Sequence, residues 1–212
     1  MKVCKICFKT IKIDDFCRLF TKNTCICAAC QELLEPKFIS FKVDTYKALA
    51  IYEYSDYIKN LIYLYKGCFD YEMREVFLNL YYKELKILYS GFIAIPIPSF
   101  KEDDETRGFN HVVEAFNFLG LEMMPIIVKT AHHKQAERTA KKRKEINKFL
   151  ALSESPDLTN KKVLLVDDIY TTGSTIRSAI NLIEKLHPKE IRVLVLAKTK
   201  DKSKNKSNTN FF

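Results

Sequence analysis

The chain has 212 residues, of which 47% are hydrophobic and 12% aromatic, so it can bury a real core and is not an intrinsically disordered protein. Its formal net charge of +9 favours an anionic partner such as nucleic acid or a phosphorylated metabolite. The first nine residues are interrupted by lysines and lack the apolar centre of a secretory signal, and no apolar run is long enough to span a bilayer. These features predict a soluble, cytoplasmic protein.

The N-terminal segment, residues 1–40, predicts a zinc ribbon. It carries two Cys-x-x-Cys pairs, whose four sulfurs could surround one tetrahedral metal ion; the predicted ligands are Cys4, Cys7, Cys27 and Cys30. Zinc is favoured over disulfides because a chain without an export signal is expected among reduced thiols. Cys17 or Cys25 could replace one of the four ligands. Cys68, which lies alone in a helical region, is predicted to be a buried thiol.

The next elements are predicted from hydrophobic periodicity. Residues 46–54 alternate and are rich in aromatic side chains, which indicates an edge strand. A helical stripe from Ile58 to Tyr65 ends at Lys66-Gly67, and residues 73–88 predict a second amphipathic helix. Residues 91–98 predict a buried strand that ends at two prolines.

Two polar segments follow this strand. Residues 101–106 predict a mobile loop, and the quartet Arg107-Gly108-Phe109-Asn110 precedes a helix that extends to about Leu119. Residues 126–152 are strongly basic and predict either a solvated helix face or a loop that contacts phosphate groups. The predicted nucleic-acid-binding residues are Lys134, Arg138, Lys141, Lys142, Arg143 and Lys144.

Residues 163–175 predict a phosphate site. An apolar strand, Val163–Val166, is followed by Asp167 and Asp168, by a hydroxyl-rich turn and by a helix over residues 176–186. The unpaired N–H groups of such a turn and helix start bind phosphate, and the two carboxylates can accept hydrogen bonds from a ribose diol or help to hold Mg²⁺. Gly173 should allow close approach of the phosphate. In the simpler alternative, the acidic pair begins an ordinary loop and Ser174 or Thr175 caps the helix.

The stretch from Asp167 to Thr175 resembles the signature of type I phosphoribosyltransferases, which bind phosphoribosyl pyrophosphate (PRPP). Together with the two Cys-x-x-Cys pairs, Lys66-Gly67 and Arg107–Asn110, it is similar to the ComF proteins of bacterial natural competence. The resemblance implies a Rossmann-like α/β domain over residues 41–198 with a mainly parallel sheet, a final strand over residues 191–196 and a disordered basic tail over residues 199–212. It also implies that Asp167 and Asp168 are the catalytic pair, and that PRPP is bound with Mg²⁺. The residues expected to contact PRPP are Arg107, Asp167, Asp168, Ile169, Tyr170, Thr171, Thr172, Gly173, Ser174 and Thr175.

Three functions are compatible with this resemblance. The first is a ComF-like competence protein that handles single-stranded DNA and PRPP-type ligands, with other competence proteins as further candidate partners. The second is an active phosphoribosyltransferase, although nothing after Leu196 could build a closed apolar pocket for a nucleobase and the zinc segment is the one candidate cover. The third is a PRPP-responsive regulator of duplex DNA, for which the sequence shows no recognition helix.

Overall fold

The computed structural model describes residues 2–11, 25–130 and 150–200. Its α-helices are α1 (Ala28–Leu34), α2 (Asp56–Lys66), α3 (Tyr82–Leu88), α4 (Lys101–Arg107), α5 (His111–Phe116) and α6 (Ser174–Ile183). Its strands are β1 (Ile39–Val43), β2 (Tyr46–Glu53), β3 (Phe92–Pro96), β4 (Glu122–Met123), β5 (Ile127–Lys129), β6 (Leu150–Leu152), β7 (Lys162–Tyr170) and β8 (Glu190–Lys198). Short 3₁₀ helices span Tyr71–Glu75, Asn117–Leu119 and Glu184–Leu186. None of the described helices is long and apolar enough to cross a membrane.

Six strands form one twisted sheet in the order β1-β2-β8-β7-β3-β4. All neighbours are parallel except β1, which runs antiparallel to β2. The central strands β7 and β8 are nearly continuous runs of buried apolar residues, because apolar side chains pack on both faces of the sheet. The expected α/β architecture with a mainly parallel sheet is therefore confirmed, and its carboxyl-terminal edge is where a ligand is expected.

Four local predictions were wrong. Residues 46–53 do not form an edge strand, because β1 pairs along their outer side. The helix predicted over residues 73–88 is divided into a 3₁₀ helix and α3, with non-helical turns between them. Residues 101–107 form a helix whose first turn carries three acidic side chains, which favours helix formation at an N-terminus. Cys68 is exposed.

The ends of the basic segment form a small ribbon of their own. Strands β5 and β6 pair antiparallel, with Ile127 opposite Leu152 and Lys129 opposite Leu150. Ile127 and Leu150 are buried in the core on the α6 side of the sheet. The base of the segment is therefore fixed to the domain, and the six basic residues predicted to bind nucleic acid lie outside the described residues.

Candidate functional site

A cleft of about 530 Å³ opens where β3 ends before its neighbour β7. Strand β3 pairs with β7 up to Val166, and the Ile97 N–H closes that ladder on the Val166 carbonyl at 2.9 Å. Strand β7 continues through Tyr170 alongside β8. The two aspartates therefore lie within β7, not after it as the sequence predicted. They line the cleft because β3 ends before it can pair with this part of β7. The lining side chains include Tyr54, Tyr63, Lys66, Ser99, Phe100, Asp103, Arg107, His111, Lys129, Asp167, Asp168, Ile169, Thr171 and Thr175.

Asp168 is the centre of the polar network in this cleft. Its Oδ2 atom accepts hydrogen bonds from Lys66 Nζ and, at 3.1 Å, from His111 Nε2. Its Oδ1 atom accepts from the backbone N–H of Ile169 at 2.6 Å. Asp168 is only 8% exposed, and burial of a carboxylate is tolerated where it is paired and hydrogen-bonded in this way.

The neighbours of His111 fix its tautomer. Arg107 Nη1 lies 3.2 Å from His111 Nδ1, and a guanidinium can only donate, so Nδ1 is the acceptor. The proton of the neutral ring is therefore on Nε2, which faces Asp168. Arg107 also donates to the Lys66 carbonyl at 3.0 Å and to Asp104 at 2.8 Å. Arg107 thus holds both the end of α2 and the His111 ring in place. The sequence analysis did not single out His111.

The two carboxylates have opposite pKa shifts. Burial opposes ionisation of Asp168, but the hydrogen bond from His111 and the charge of Lys66 outweigh it and hold the pKa of Asp168 well below its usual range. Burial and the adjacent Asp168 charge raise the pKa of Asp167. Burial also lowers the pKa of Lys129, whose ammonium group lies 4.4 Å from the centre of the Phe100 ring. Two adjacent carboxyl groups with opposite pKa shifts, flanked by cations, are suited to bind an anionic ligand or a ligand-bound cation.

These shifts predict how two isosteric variants respond to pH. A raised folded-state pKa makes Asp167 reduce stability as the pH rises above the ordinary aspartate value of about 3.9. Asp167→Asn should therefore increase the free energy of unfolding at pH 8, with a gain that shrinks toward pH 4. Asp168→Asn should do the reverse, because the stability from a depressed pKa is present at neutral pH and is lost in acid. Urea denaturation between pH 2 and pH 8 measures both effects, because the stability from Asp168 is lost only as the pH falls below about 3.9. Equal signs for the two variants at pH 8 would contradict the assignment.

The turn from Thr171 to Thr175 leads directly into α6. Gly173 is the N-cap residue, with φ at +74° and no side-chain cap on the helix, so neither Ser174 nor Thr175 caps it as the simpler alternative required. The Thr172 and Ser174 hydroxyls lie 3.1 Å apart, and Arg177 Nη1 donates to the Thr172 carbonyl at 2.8 Å. The turn is therefore held in place while the first N–H groups of α6 have no side-chain cap, which is the arrangement that binds phosphate groups.

The structure gives a reason for Gly173 besides the predicted approach of a phosphate, which stays a prediction. A Cβ atom at this position would lie 2.6 Å from the Cζ atom of Tyr170 and closer still to its hydroxyl oxygen. The Tyr170 ring is buried and packs against Phe41 at a centroid distance of 4.7 Å. Tyr170 therefore supports the turn from within the core and does not line the cleft.

The predicted PRPP contacts separate into three groups in the structure. Asp167, Asp168, Ile169, Thr171, Thr175 and Arg107 line the cleft. Thr172, Gly173 and Ser174 do not line it: Thr172 is exposed, Ser174 is partly exposed, and Gly173 is buried above the Tyr170 ring. Lys66 lines the cleft as well, so one residue of the Lys66-Gly67 pair from the resemblance also lies at the site. Among the described residues of the ribbon, none lines the cleft, so the expected cover is not seen there.

Four cysteine sulfurs of the N-terminal segment come together at a second site. The Sγ atoms of Cys4, Cys7, Cys27 and Cys30 all lie within 4.8 Å of one another, and those of Cys7 and Cys27 are 3.6 Å apart. Tetrahedral zinc with Zn–S bonds of about 2.3 Å places its sulfurs about 3.8 Å apart, so this group fits the ion. Cys25 points elsewhere, because its thiol donates to the Glu75 carbonyl at 3.6 Å. Burial raises the pKa of Cys25 to about 11, as expected for an inert thiol. Cys17 lies outside the described residues.

This geometry predicts different effects for two cysteine substitutions. Cys4→Ser should abolish stoichiometric zinc binding, because it removes one of four thiolates that converge on one point. Cys25→Ser should keep one zinc ion per chain, because its sulfur is outside the group. Metal analysis of protein purified under reducing conditions measures both, and loss of zinc in Cys25→Ser would contradict the ligand set.

Comparison with known protein families agrees with this geometry. A family model described as "Phosphoribosyl transferase domain" matches residues 105–212, about half of the chain. That match covers β7, the turn, α6 and β8, and the structure has the mainly parallel α/β sheet expected of the class.

The chain is also similar to curated competence proteins. It is 25% identical to "Competence protein ComFC" of Streptococcus pneumoniae over 92% of this chain and 99% of that protein. It is 26% identical to "Competence protein ComFC" of Bacillus subtilis over 64% of this chain and 58% of that protein. It is 31% identical to "Competence protein F" of Haemophilus influenzae over 49% of each. The chain belongs to the phosphoribosyl transferase domain family, as a ComF-type phosphoribosyltransferase-like protein.

Solved structures similar to this chain include two phosphoribosyltransferases. A hypoxanthine phosphoribosyltransferase from Staphylococcus aureus has a TM-score of 0.37 and 14% identity, and the match covers 61% of this chain and 66% of that one. A purine phosphoribosyltransferase from Pyrococcus horikoshii has a TM-score of 0.37 and 19% identity, covering 59% and 72%.

Proposed function

We propose that this chain is a cytoplasmic ComF-like protein of natural competence that binds PRPP or a related phosphate ligand and single-stranded DNA during DNA uptake. The observation that carries the proposal is the cleft at the carboxyl-terminal edge of the sheet. An aspartate pair, three cationic side chains and an uncapped helix start face one volume there; the cations are Lys66, Arg107 and Lys129. The names of the curated relatives support the link to competence.

Each part of a sugar phosphate has a matching group in this cleft. The turn and the start of α6 would bind the 5′-phosphate through N–H and hydroxyl donors. Asp167 and Asp168 would accept hydrogen bonds from the ribose hydroxyls. Asp168 must then exchange its bond to Lys66 for one to the ligand, which frees the ammonium group to bind phosphate oxygens. Mg²⁺ would neutralise the pyrophosphate charge, and the half-buried Asp167 could approach it.

Single-stranded DNA is the second proposed ligand. The basic segment begins at β5, whose Lys129 lines the cleft, and ends at β6, which pairs with β5. Contacts to a phosphate backbone make binding weaken steeply with salt. Binding of an oligothymidylate that does not respond to salt, or that survives replacement of Lys141, Lys142, Arg143 and Lys144 by alanine, would overturn this part.

An active phosphoribosyltransferase is the second candidate function, and the ordered Asp167–Asp168 pair favours it. A carboxylate near the anomeric carbon would stabilise the positive charge of an oxocarbenium-like transition state as pyrophosphate leaves. Pyrophosphate release measured across a panel of nucleobases and amines distinguishes the two. Release with one acceptor establishes the enzyme, whereas binding without release supports a sensing or binding role.

Calorimetric titration with PRPP and Mg²⁺ tests the proposal as a whole. Saturable binding at one site per chain is the expected result. Absence of binding at millimolar PRPP in protein that retains its fold and its metal would refute the assignment of the cleft.

A further inference from the structure

The hydroxyl group of Tyr57 is buried but has no hydrogen-bond partner among the described residues. Tyr57 lies in the first turn of α2, which belongs to the α/β domain. A buried hydroxyl without a partner has a free-energy cost comparable to that of a lost hydrogen bond, so its position needs an explanation.

The side chain of Tyr57 lies beside the cysteine group. It packs against the buried cluster that contains Cys4 and Cys30. Cys30 lies on α1, which packs against α2, and its own side chain is buried. Tyr57 and Cys30 therefore meet in one buried cluster where α1 packs against α2.

We propose that Tyr57 donates a hydrogen bond to the Cys30 thiolate when zinc occupies the four-cysteine site. The proposal rests on the zinc site of the ribbon and assigns to this phenol the positioning of one metal ligand. A zinc-bound thiolate carries negative charge and accepts hydrogen bonds, whereas a neutral thiol is a weak acceptor, so the hydroxyl gains its partner when the metal binds.

The bond would also join two parts of the chain that are separate in sequence. Cys30 belongs to the ribbon, and Tyr57 is at the start of the helix whose last residue, Lys66, pairs with Asp168 in the cleft. Helix α2 therefore contacts the zinc site at one end and the ligand cleft at the other. Lys5 of the ribbon makes an independent connection to the domain, with salt bridges of 2.7 Å to Glu72 and Glu75.

Tyr57→Phe tests the proposal because it removes the hydroxyl and keeps the ring. Zinc affinity of the full chain is measured by competition with a chromophoric chelator, and we expect a 10–100-fold loss, as is usual for partners of metal ligands. Tyr65→Phe is the matched control. It is a buried tyrosine on the same helix whose hydroxyl donates to the His111 carbonyl, so it should reduce stability without changing zinc affinity.

Melting temperatures with and without zinc give a second readout. Without metal, Tyr57→Phe removes an unpaired buried hydroxyl and should not lower the melting temperature. With zinc it removes a hydrogen bond, so the zinc-induced increase should be smaller than in the parent. In the Co²⁺-loaded protein, the sulfur-to-metal charge-transfer band should shift in Tyr57→Phe and stay unchanged in Tyr65→Phe.

Three results would overturn the inference. Equal zinc affinity and an equal zinc-induced shift in Tyr57→Phe and the parent would show that the phenol does not act on the metal site. Equal losses in Tyr57→Phe and Tyr65→Phe would show a general packing effect. A parent protein that binds neither zinc nor Co²⁺ would refute the metal site itself, and PRPP binding measured in the same sample would show whether the proposed function of the cleft fails with it.

Discussion

Replacing Asp167 and Asp168 together by asparagine will lower the affinity for PRPP with Mg²⁺ at least tenfold. Each carboxylate is expected to accept a charge-assisted hydrogen bond from the ribose diol, and such bonds contribute about 1.5–3 kcal/mol. Asparagine keeps the shape of the side chain and a carbonyl acceptor for the His111 N–H, so the fold should be retained. Calorimetry of the double variant against PRPP measures the loss.

Anions without ribose provide the control for that experiment. In the double variant Lys66 no longer pairs with a carboxylate, so its ammonium group is available to other anions. Inorganic phosphate and pyrophosphate should therefore bind as well as in the parent or better. Unchanged PRPP affinity in the double variant would contradict the role given to the pair, and a parallel loss of all anions would indicate damage to the turn instead.

Features set by local sequence were the predictable part of this protein. Strand β7 was found because a strand buried on both faces needs an apolar run, as in Val163–Val166. The cysteine group was found because a two-residue gap brings paired sulfurs to one metal. The strand was nevertheless longer than the apolar run, because hydrogen bonding to β8 continues past the point where β3 ends.

The polar network of the cleft could not be read from local sequence. His111 and Lys66 reach Asp168 across 57 and 102 positions, and a single histidine at a helix start carries no pattern. The order of the strands was also needed to bring α2 and α5 to the end of β7. The Asn110 side chain that caps α5 was the one local clue, since its Oδ1 atom accepts from the N–H groups of Val112 and Val113.

Gly173→Ala will destabilise the protein more than Gly91→Ala, although both glycines have similar positive φ values of +74° and +78°. A left-handed conformation costs a residue with a Cβ about 1–2 kcal/mol at either position. At Gly91 the added Cβ has no described atom within 4 Å, so this strain is the whole cost. At Gly173 the Cβ also collides with the Tyr170 ring, and such overpacking costs about 1–3 kcal/mol more.

A second substitution separates the collision from the backbone strain. In a Tyr170→Ala background the ring is absent, so the additional cost of Gly173→Ala should fall to the cost measured for Gly91→Ala. Urea denaturation of the parent, the Gly173→Ala and Tyr170→Ala variants and the double variant gives the coupling free energy, which should be about 1–3 kcal/mol. Gly173→Ala should also weaken phosphate and PRPP binding together, because the displaced turn no longer directs its N–H groups at one point. If both alanine variants lose equal stability, or if phosphate still binds to Gly173→Ala with parental affinity, then the Tyr170 ring does not determine the shape of the turn.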